Sequence, residues 1–243
     1  MKKVLITGAA GRIGRDLHAG LAGRYRLRLM YHHTVLPVGP GEESVVVDLA
    51  DLAAVCQAVH GVDAIVHLAG NPSTQASFED VLQANIVGTY HLYEAARLEG
   101  VPRVVFASTN HVTGMYERAG SLVMPDMPVR PDSFYGASKA YGEALGRYYH
   151  DRHGLEVICL RIGSALVKPG NPRVLGTWIS PRDLTQLTWR SIEAPVTFGV
   201  FYGISGNTRR RWDITNAREL LGYAPEDNGE AYADAVLAEV KVT

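Results

Sequence analysis

With 243 residues, 47% hydrophobic and 20% charged, the chain has the balance of a soluble globular protein and the length for one well-buried core. A formal net charge of −1 offers nucleic acid no general attraction, and the densest basic run, Arg209-Arg210-Arg211, is too short for a nucleic-acid patch and reads as a solvated loop. No stretch approaches the ~20 apolar residues of a bilayer span. The basic, apolar start Met1-Lys2-Lys3-Val4-Leu5-Ile6 is broken by Gly8 and Gly11 before a signal-peptide core forms. Cys56 and Cys159 have neither disulfide-framework nor metal-ligand spacing, so a cytoplasmic location is expected and no metal.

Apolar runs of a few residues alternate with longer amphipathic stretches, as when parallel strands are covered on both faces by crossover helices. In chain order, a strand at 3–7 enters a glycine-rich turn and a helix at 13–22. Strands at 26–31 and 44–47 precede a helix at 52–59 that Asp51 caps, and a strand at 64–67 leads into a long helix at 78–99 stopped by Gly100. A strand at 103–107, a helix at 134–153 and a strand at 157–161 follow. Beyond Gly163 the alternation gives way to a Pro- and Gly-rich stretch, a shorter helix and an aromatic strand at 196–202. The class is α/β with a doubly wound parallel sheet. Residues 1–163 form the expected nucleotide-binding unit and residues 164–243 a small substrate-side lobe packed on it.

The first strand ends in Thr7-Gly8-Ala9-Ala10-Gly11-Arg12-Ile13-Gly14. Glycines three apart at a strand-to-helix turn let the backbone approach a pyrophosphate, which the free N–H groups of the helix N-terminus then bind, as in a Rossmann fold. Asp48, past the third strand, is placed to accept from an adenine amino group. His67 reads as a packed strand histidine, while the following Leu68-Ala69-Gly70 leaves room for a cofactor at the sheet edge. From its helix position alone, Asn85 is a solvent-facing or helix-bending residue.

Phe134-Tyr135-Gly136-Ala137-Ser138-Lys139 puts Tyr135 and Lys139 four apart, on one helix face. A phenol is a poor base at neutral pH, and a nearby ammonium favours its ionised form. After the fifth strand, Ser108-Thr109-Asn110-His111 brings hydroxyl, amide and imidazole groups to the same edge.

Together, Gly8-x-x-Gly11-x-x-Gly14, Asp48, Asn85, Ser108-Thr109, Tyr135-x-x-x-Lys139 and the closing Leu221-Gly222-Tyr223-x-Pro225-x-Asp227 resemble the extended short-chain dehydrogenase/reductase superfamily, over essentially the whole chain. Within it, residues 106–111, 161–164 and 173–178 look most like uronate dehydrogenases, which oxidise hexuronates at C1 to aldarolactones with NAD. Residues 70–72, 146–151 and 202–205 are equally similar to archaeal NAD-dependent glucose-6-phosphate dehydrogenases.

The resemblance implies catalysis by Tyr135, which takes the proton of the anomeric hydroxyl, by Lys139, which holds the nicotinamide ribose and lowers the Tyr135 pKa, and by Thr109, which orients the sugar. It implies a cofactor site of Gly8, Gly11, Arg12, Ile13, Gly14, Asp48, Leu49, Leu68, Ala69, Gly70, Asn85, Ser108, Tyr135, Lys139 and Ile162. Ser73, Thr109, Asn110, His111, Tyr135, Ser164 and Arg173 would bind the sugar. The Arg173 fork suits a carboxylate and a phosphate alike, so a sugar acid and a sugar phosphate both remain open. One departure concerns the nucleotide: Tyr31 stands where relatives carry the acid that binds the ribose hydroxyls. That leaves NAD and NADP both open, with Arg12, His32 and His33 as conceivable phosphate partners. A homo-oligomer is compatible with this reading, although the segment after Asp227 is short. Trp178, on the Arg173 loop, is the one indole expected near the sugar.

Overall fold

The structure, a computed structural model, describes residues 1–120 and 122–240. Among these, β1 (Lys3–Thr7), β2 (Arg26–Tyr31), β3 (Glu43–Val46), β4 (Ala64–His67), β5 (Arg103–Thr109) and β6 (Glu156–Ile162) are joined by two short strands, β7 (Ser164–Ala165) and β8 (Trp178–Ile179), and by β9 (Phe198–Gly203). Seven of them form one sheet in the order β3-β2-β1-β4-β5-β6-β9, parallel at every pairing. The reversal of order between β1 and β4 opens the crevice at the carboxyl edge where such sheets bind ligands. This is the expected doubly wound sheet. Val4, Leu5, Ile6, Val104, Val157 and Ile158 are inaccessible to solvent, which explains their continuous rather than alternating apolar runs.

The helices are α1 (Arg12–Leu21), α2 (Leu52–Val59), α3 (Phe78–Val81), α4 (Gly88–Leu98), α5 (Gly114–Arg118), α6 (Phe134–His153), α7 (Val174–Thr177), α8 (Pro181–Glu193), α9 (Thr215–Leu221) and α10 (Ala233–Val240). One face of the sheet is covered by α1, α8 and α9 and the other by α2, α4 and α6, giving two core clusters. Their ends follow local chemistry. Asp51 accepts from the Ala54 N–H at the start of α2, Ser133 from the Gly136 N–H at the start of α6, and Gly154 ends α6 in the left-handed region.

Two findings depart from the expected elements. The single helix at 78–99 is interrupted by a π-helical turn, Leu82–Val87, between α3 and α4. The aromatic strand expected in the C-terminal lobe is β9, the edge of the main sheet, and α8 packs on α1. Residues 164–240 therefore share the main sheet and core, with α7 and α10 as a small cluster around Leu175; the last three residues of the expected lobe lie outside the described ones. Among the described residues, no helix is long and apolar enough to cross a membrane.

Candidate active site

A cavity of about 930 Å3 runs along the carboxyl edge, across the crevice between β1 and β4 and over the ends of β5 and β6. Its first section is bare backbone. Gly8, Gly11, Arg12, Ile13 and Gly14 line it, and a Cβ on Gly14 would lie 2.5 Å from the Gly8 carbonyl oxygen. Gly11 caps α1 with no side chain, and the first turn carries no acid, so the N-terminal N–H groups of α1 are left for a ligand. Thr7 fixes the opposite bank: its hydroxyl meets His67 Nδ1 at 2.8 Å and accepts from the Leu68 and Ala69 N–H groups, each at 3.1 Å. Burial and the nearby Lys139 charge push His67 down to about 3, so it stays neutral and structural, as expected. This cradle fits the pyrophosphate of a dinucleotide.

The end of the cavity beside this cradle is shaped by Asp48, Leu49 and His32. Asp48 is 61% exposed, accepts from the Ala50 N–H, and lies 3.7 Å from His32 Nε2. Tyr31 does not face the cavity. Its ring is buried in the same core cluster as Leu27 and Leu29, on the α1 side of the sheet, because alternate residues of β2 point to the same face. His32, its ring tilted against that of His33 with centroids 3.6 Å apart, is the residue of this strand end that lines the cavity.

At the middle of the cavity, Ser108, Thr109, Asn110 and His111 leave β5 in a tight turn, and Tyr135 and Lys139 face them from α6. Gly136 permits this approach, since a Cβ there would collide with the His111 carbonyl. The Thr109 hydroxyl stands beside the Tyr135 phenol and accepts from the His111 N–H at 3.3 Å. Lys139 is 4% exposed, with Nζ 4.8 Å over the Phe106 ring, and no carboxylate pairs with it among the described residues. Desolvation lowers it to about 8. The expected lowering of Tyr135 by Lys139 is not found. Burial holds the phenol above its ordinary value and the opposing pull comes from the Thr109 hydroxyl.

His111 Nδ1 donates to both oxygens of Asp132, at 3.0 and 3.1 Å, which fixes the ring and leaves Nε2 without a hydrogen-bond partner among the described residues. Ile162, Ser164 and Arg173 close the far side of the cavity, with Ser164 Oγ 2.9 Å from Thr177 Oγ1. Arg173 is held from outside by Glu117, through Nε at 2.7 Å and Nη2 at 2.8 Å.

Three expected site residues stand elsewhere. Ser73 is exposed, outside the cavity wall, with its hydroxyl accepting from the Gln75 N–H. Asn85 is 1% exposed and lies beneath the wall: the π turn carries it inward, where it accepts from the Asn71 N–H and donates to the Asn71 carbonyl and to Ser138 Oγ. It thus shapes the Gly70–Asn71 bank and ties it to α6; of the two positions read from the helix, solvent-facing or helix-bending, it takes the second, inside the π turn. Trp178 is a core residue, 2% exposed, its N–H donated to the Leu166 carbonyl and its ring against Tyr232.

Sequence reading missed a buried ion pair behind the turn. Glu143 accepts from Ser108 at 2.6 Å and from Arg161. Its signal was present, for Glu143 continues the four-residue spacing of Tyr135 and Lys139 on α6. Asn71, Pro72, Gln83 and Ala84 also line the cavity, brought there by the π turn and the loop it holds.

A parallel sheet with a bare glycine cradle at its first crossover, and a Thr, Tyr and Lys set over its fifth strand, define a dinucleotide-dependent enzyme of the short-chain dehydrogenase type. The chain belongs to the NAD dependent epimerase/dehydratase family, whose model matches residues 4–194. It is 45% identical to a uronate dehydrogenase of Pseudomonas putida over 98% of this chain and 88% of that protein. It is 38% identical to an NAD-dependent glucose-6-phosphate dehydrogenase of Haloferax volcanii over 94% of this chain and 95% of that one. The crystal structure of uronate dehydrogenase from Agrobacterium tumefaciens superposes with a TM-score of 0.91 at 43% identity, over 98% of this chain and 89% of that one.

Proposed function

We propose that this chain oxidises an anionic aldose at C1, a hexuronate such as glucuronate or galacturonate going to its aldarolactone, with NAD or NADP as the electron acceptor. The observation that carries this reading is the placement of Thr109, Tyr135 and Lys139 over β5 with Arg173 on the far wall of the same cavity. Arg173, its Nε–Nη2 edge held by Glu117, thus presents its remaining N–H groups to a substrate carboxylate across the cavity from the group that takes the anomeric proton. The similarity to uronate dehydrogenases over nearly the full length of the chain supports it.

In this reading Thr109 and Tyr135 hold the anomeric hydroxyl between them. Tyr135, as phenolate, accepts the O–H proton while C1 loses its hydrogen with an electron pair, so the hemiacetal becomes a lactone. The bound nicotinamide supplies the acceptor for that hydrogen and electron pair. Lys139, which no carboxylate neutralises among the described residues, holds the nicotinamide ribose, and the Thr109 hydroxyl is the group that favours the phenolate. Asn110 and His111 Nε2 bind ring hydroxyls, and Ser164 lies within reach of the same sugar. Gly8, Gly11, Arg12, Ile13 and Gly14 hold the pyrophosphate, Leu68, Ala69, Gly70, Ser108 and Ile162 line the nicotinamide half, and Asp48 and Leu49 flank the adenine. With Cys56 and Cys159 both free thiols, a reducing cytoplasm is the compartment we assign.

The test is the absorbance of reduced nicotinamide when purified protein meets glucuronate or galacturonate with each nucleotide. No turnover with either acid, against turnover of glucose 6-phosphate, moves the assignment to the sugar phosphate that the Haloferax relative is named for.

A further inference from the structure

The basic run Arg209-Arg210-Arg211 is not merely a solvated loop. Arg209 and Arg211 line a second cavity of about 590 Å3, which adjoins the catalytic one and shares Arg173 and His111 with it as a common wall. Arg118 completes its basic lining, so four arginines face it against two carboxylates, Glu117 and Asp132. Both acids are engaged by the common wall itself, Glu117 by Arg173 and Asp132 by His111. Arg209 is anchored by Glu230. Arg118 stands 3.8 Å from Asp132, and Arg211 forms no ion pair among the described residues. The cavity therefore keeps a positive surplus in a concave space, where field lines from one sign of charge concentrate.

Where this cavity lies decides what it can hold. In a hexuronate ring C1 and C4 are opposite, and the carboxylate on C5 neighbours C4. A sugar with C1 at Tyr135 and its carboxylate at Arg173 turns O4 toward the common wall, so a substituent on O4 continues into the second cavity. We propose that this cavity is a subsite for a second, carboxylate-bearing sugar, and that the enzyme oxidises the reducing end of short 4-linked uronides. The inference rests on the hexuronate reading above. The chemistry is unchanged: the anomeric O–H of the terminal unit gives its proton to Tyr135, C1 gives its hydrogen with the electron pair to the nicotinamide nucleotide, and the glycosidic bond at O4 neither forms nor breaks. A volume of 590 Å3 falls within the range of small-ligand sites and exceeds what one sugar unit needs.

The experiment compares galacturonate with its 4-linked dimer as substrates of the parent enzyme and of the Arg211→Ala and Arg209→Ala variants, all of matched melting temperature. The dimer is expected to show a KM about fivefold below that of the monomer, the range of partly exposed charge pairs. Arg211→Ala should return the dimer's KM to the monomer's value and leave both constants for the monomer in place, with Arg209→Ala acting in the same direction. A dimer that is not oxidised while the monomer is, a dimer KM no lower than the monomer's, or a dimer KM indifferent to both substitutions overturns the subsite. Failure of the hexuronate reading looks different, because then neither sugar reduces the nucleotide.

Discussion

Arg161 and Glu143 meet as a two-bonded fork between β6 and α6, Nε to Oε1 at 2.9 Å and Nη2 to Oε2 at 2.8 Å, with side chains 4% and 7% exposed. From this pair a chain of polar contacts spreads under the active site: Glu143 to Ser108, and Arg161 to Tyr202, whose hydroxyl meets Thr113 at 2.5 Å, which in turn donates to the Asn110 carbonyl. The turn that bears Thr109, Asn110 and His111 is thus held from behind. Removing one member of a buried pair strands the other charge, so Arg161→Met should cost about 3–5 kcal/mol in urea denaturation. The double variant Arg161→Met with Glu143→Leu should regain more than half of that loss. Equal destabilisation of single and double variants would mean that packing, not the stranded charge, dominates.

Tyr135→Phe keeps the ring and removes the phenolic oxygen that we propose takes the anomeric proton. We expect kcat to fall about 10²- to 10⁴-fold, with the melting temperature and the dissociation constant for the nucleotide unchanged. Thr109→Ala should act in the same direction but less, since Tyr135 remains. Retention of near-parental kcat by the phenylalanine variant would remove Tyr135 from the chemistry.

Lys139 is desolvated and lowered from its ordinary value of 10.5 to about 8. Below pH 8 it is charged in both folded and unfolded chains, and the folded state bears the full desolvation cost. Between pH 8 and 10.5 the folded lysine is neutral while the unfolded one still binds a proton, so this cost fades as pH rises. Lys139→Met should therefore be inactive yet more stable than the parent, by roughly 3 kcal/mol at neutral pH. The gap should narrow in denaturation curves taken from pH 8 to pH 10. A gap that is constant over that range would place the ordinary lysine pKa back in the folded protein.

Gly14→Ala would set a Cβ 2.5 Å from the Gly8 carbonyl oxygen and 2.7 Å from the Ala9 Cα, both main-chain atoms that cannot swing aside. The turn must move, and the nucleotide dissociation constant should rise at least about tenfold, because the N–H groups of α1 lose their aim. Calorimetric titration with NAD and NADP reads this directly. Unchanged affinity would show that the pyrophosphate is held elsewhere.

Much of this molecule was legible because its strands are short, apolar and buried on both faces. β1, β2 and β4 occupy the stretches their composition marks, and Asp51 and Gly100 punctuate their helices as their types suggest. The π turn was not legible, since it needs only one widened turn and carries no Gly or Pro to announce it; the sequence left Asn85 open between a solvent-facing and a helix-bending position. Side-chain direction was available but unused: Leu27, Leu29 and Tyr31 share parity on β2, which already sends Tyr31 into the core. The Glu117–Arg173 contact joins α5 to a loop 56 residues away, and only the tertiary fold brings such partners together. For the same reason Arg209 and Arg211 read as a solvated loop until the wall they form was in view.

An amine that titrates near 8 on the wall of a ligand cavity is also a reagent trap. At pH 8 about half of Lys139 is the free base. An aldehyde small enough to enter would condense with it ahead of surface amines, and borohydride would lock the adduct. One labelled lysine per chain, lost when nucleotide is present, would give a count of working sites that needs no knowledge of the sugar.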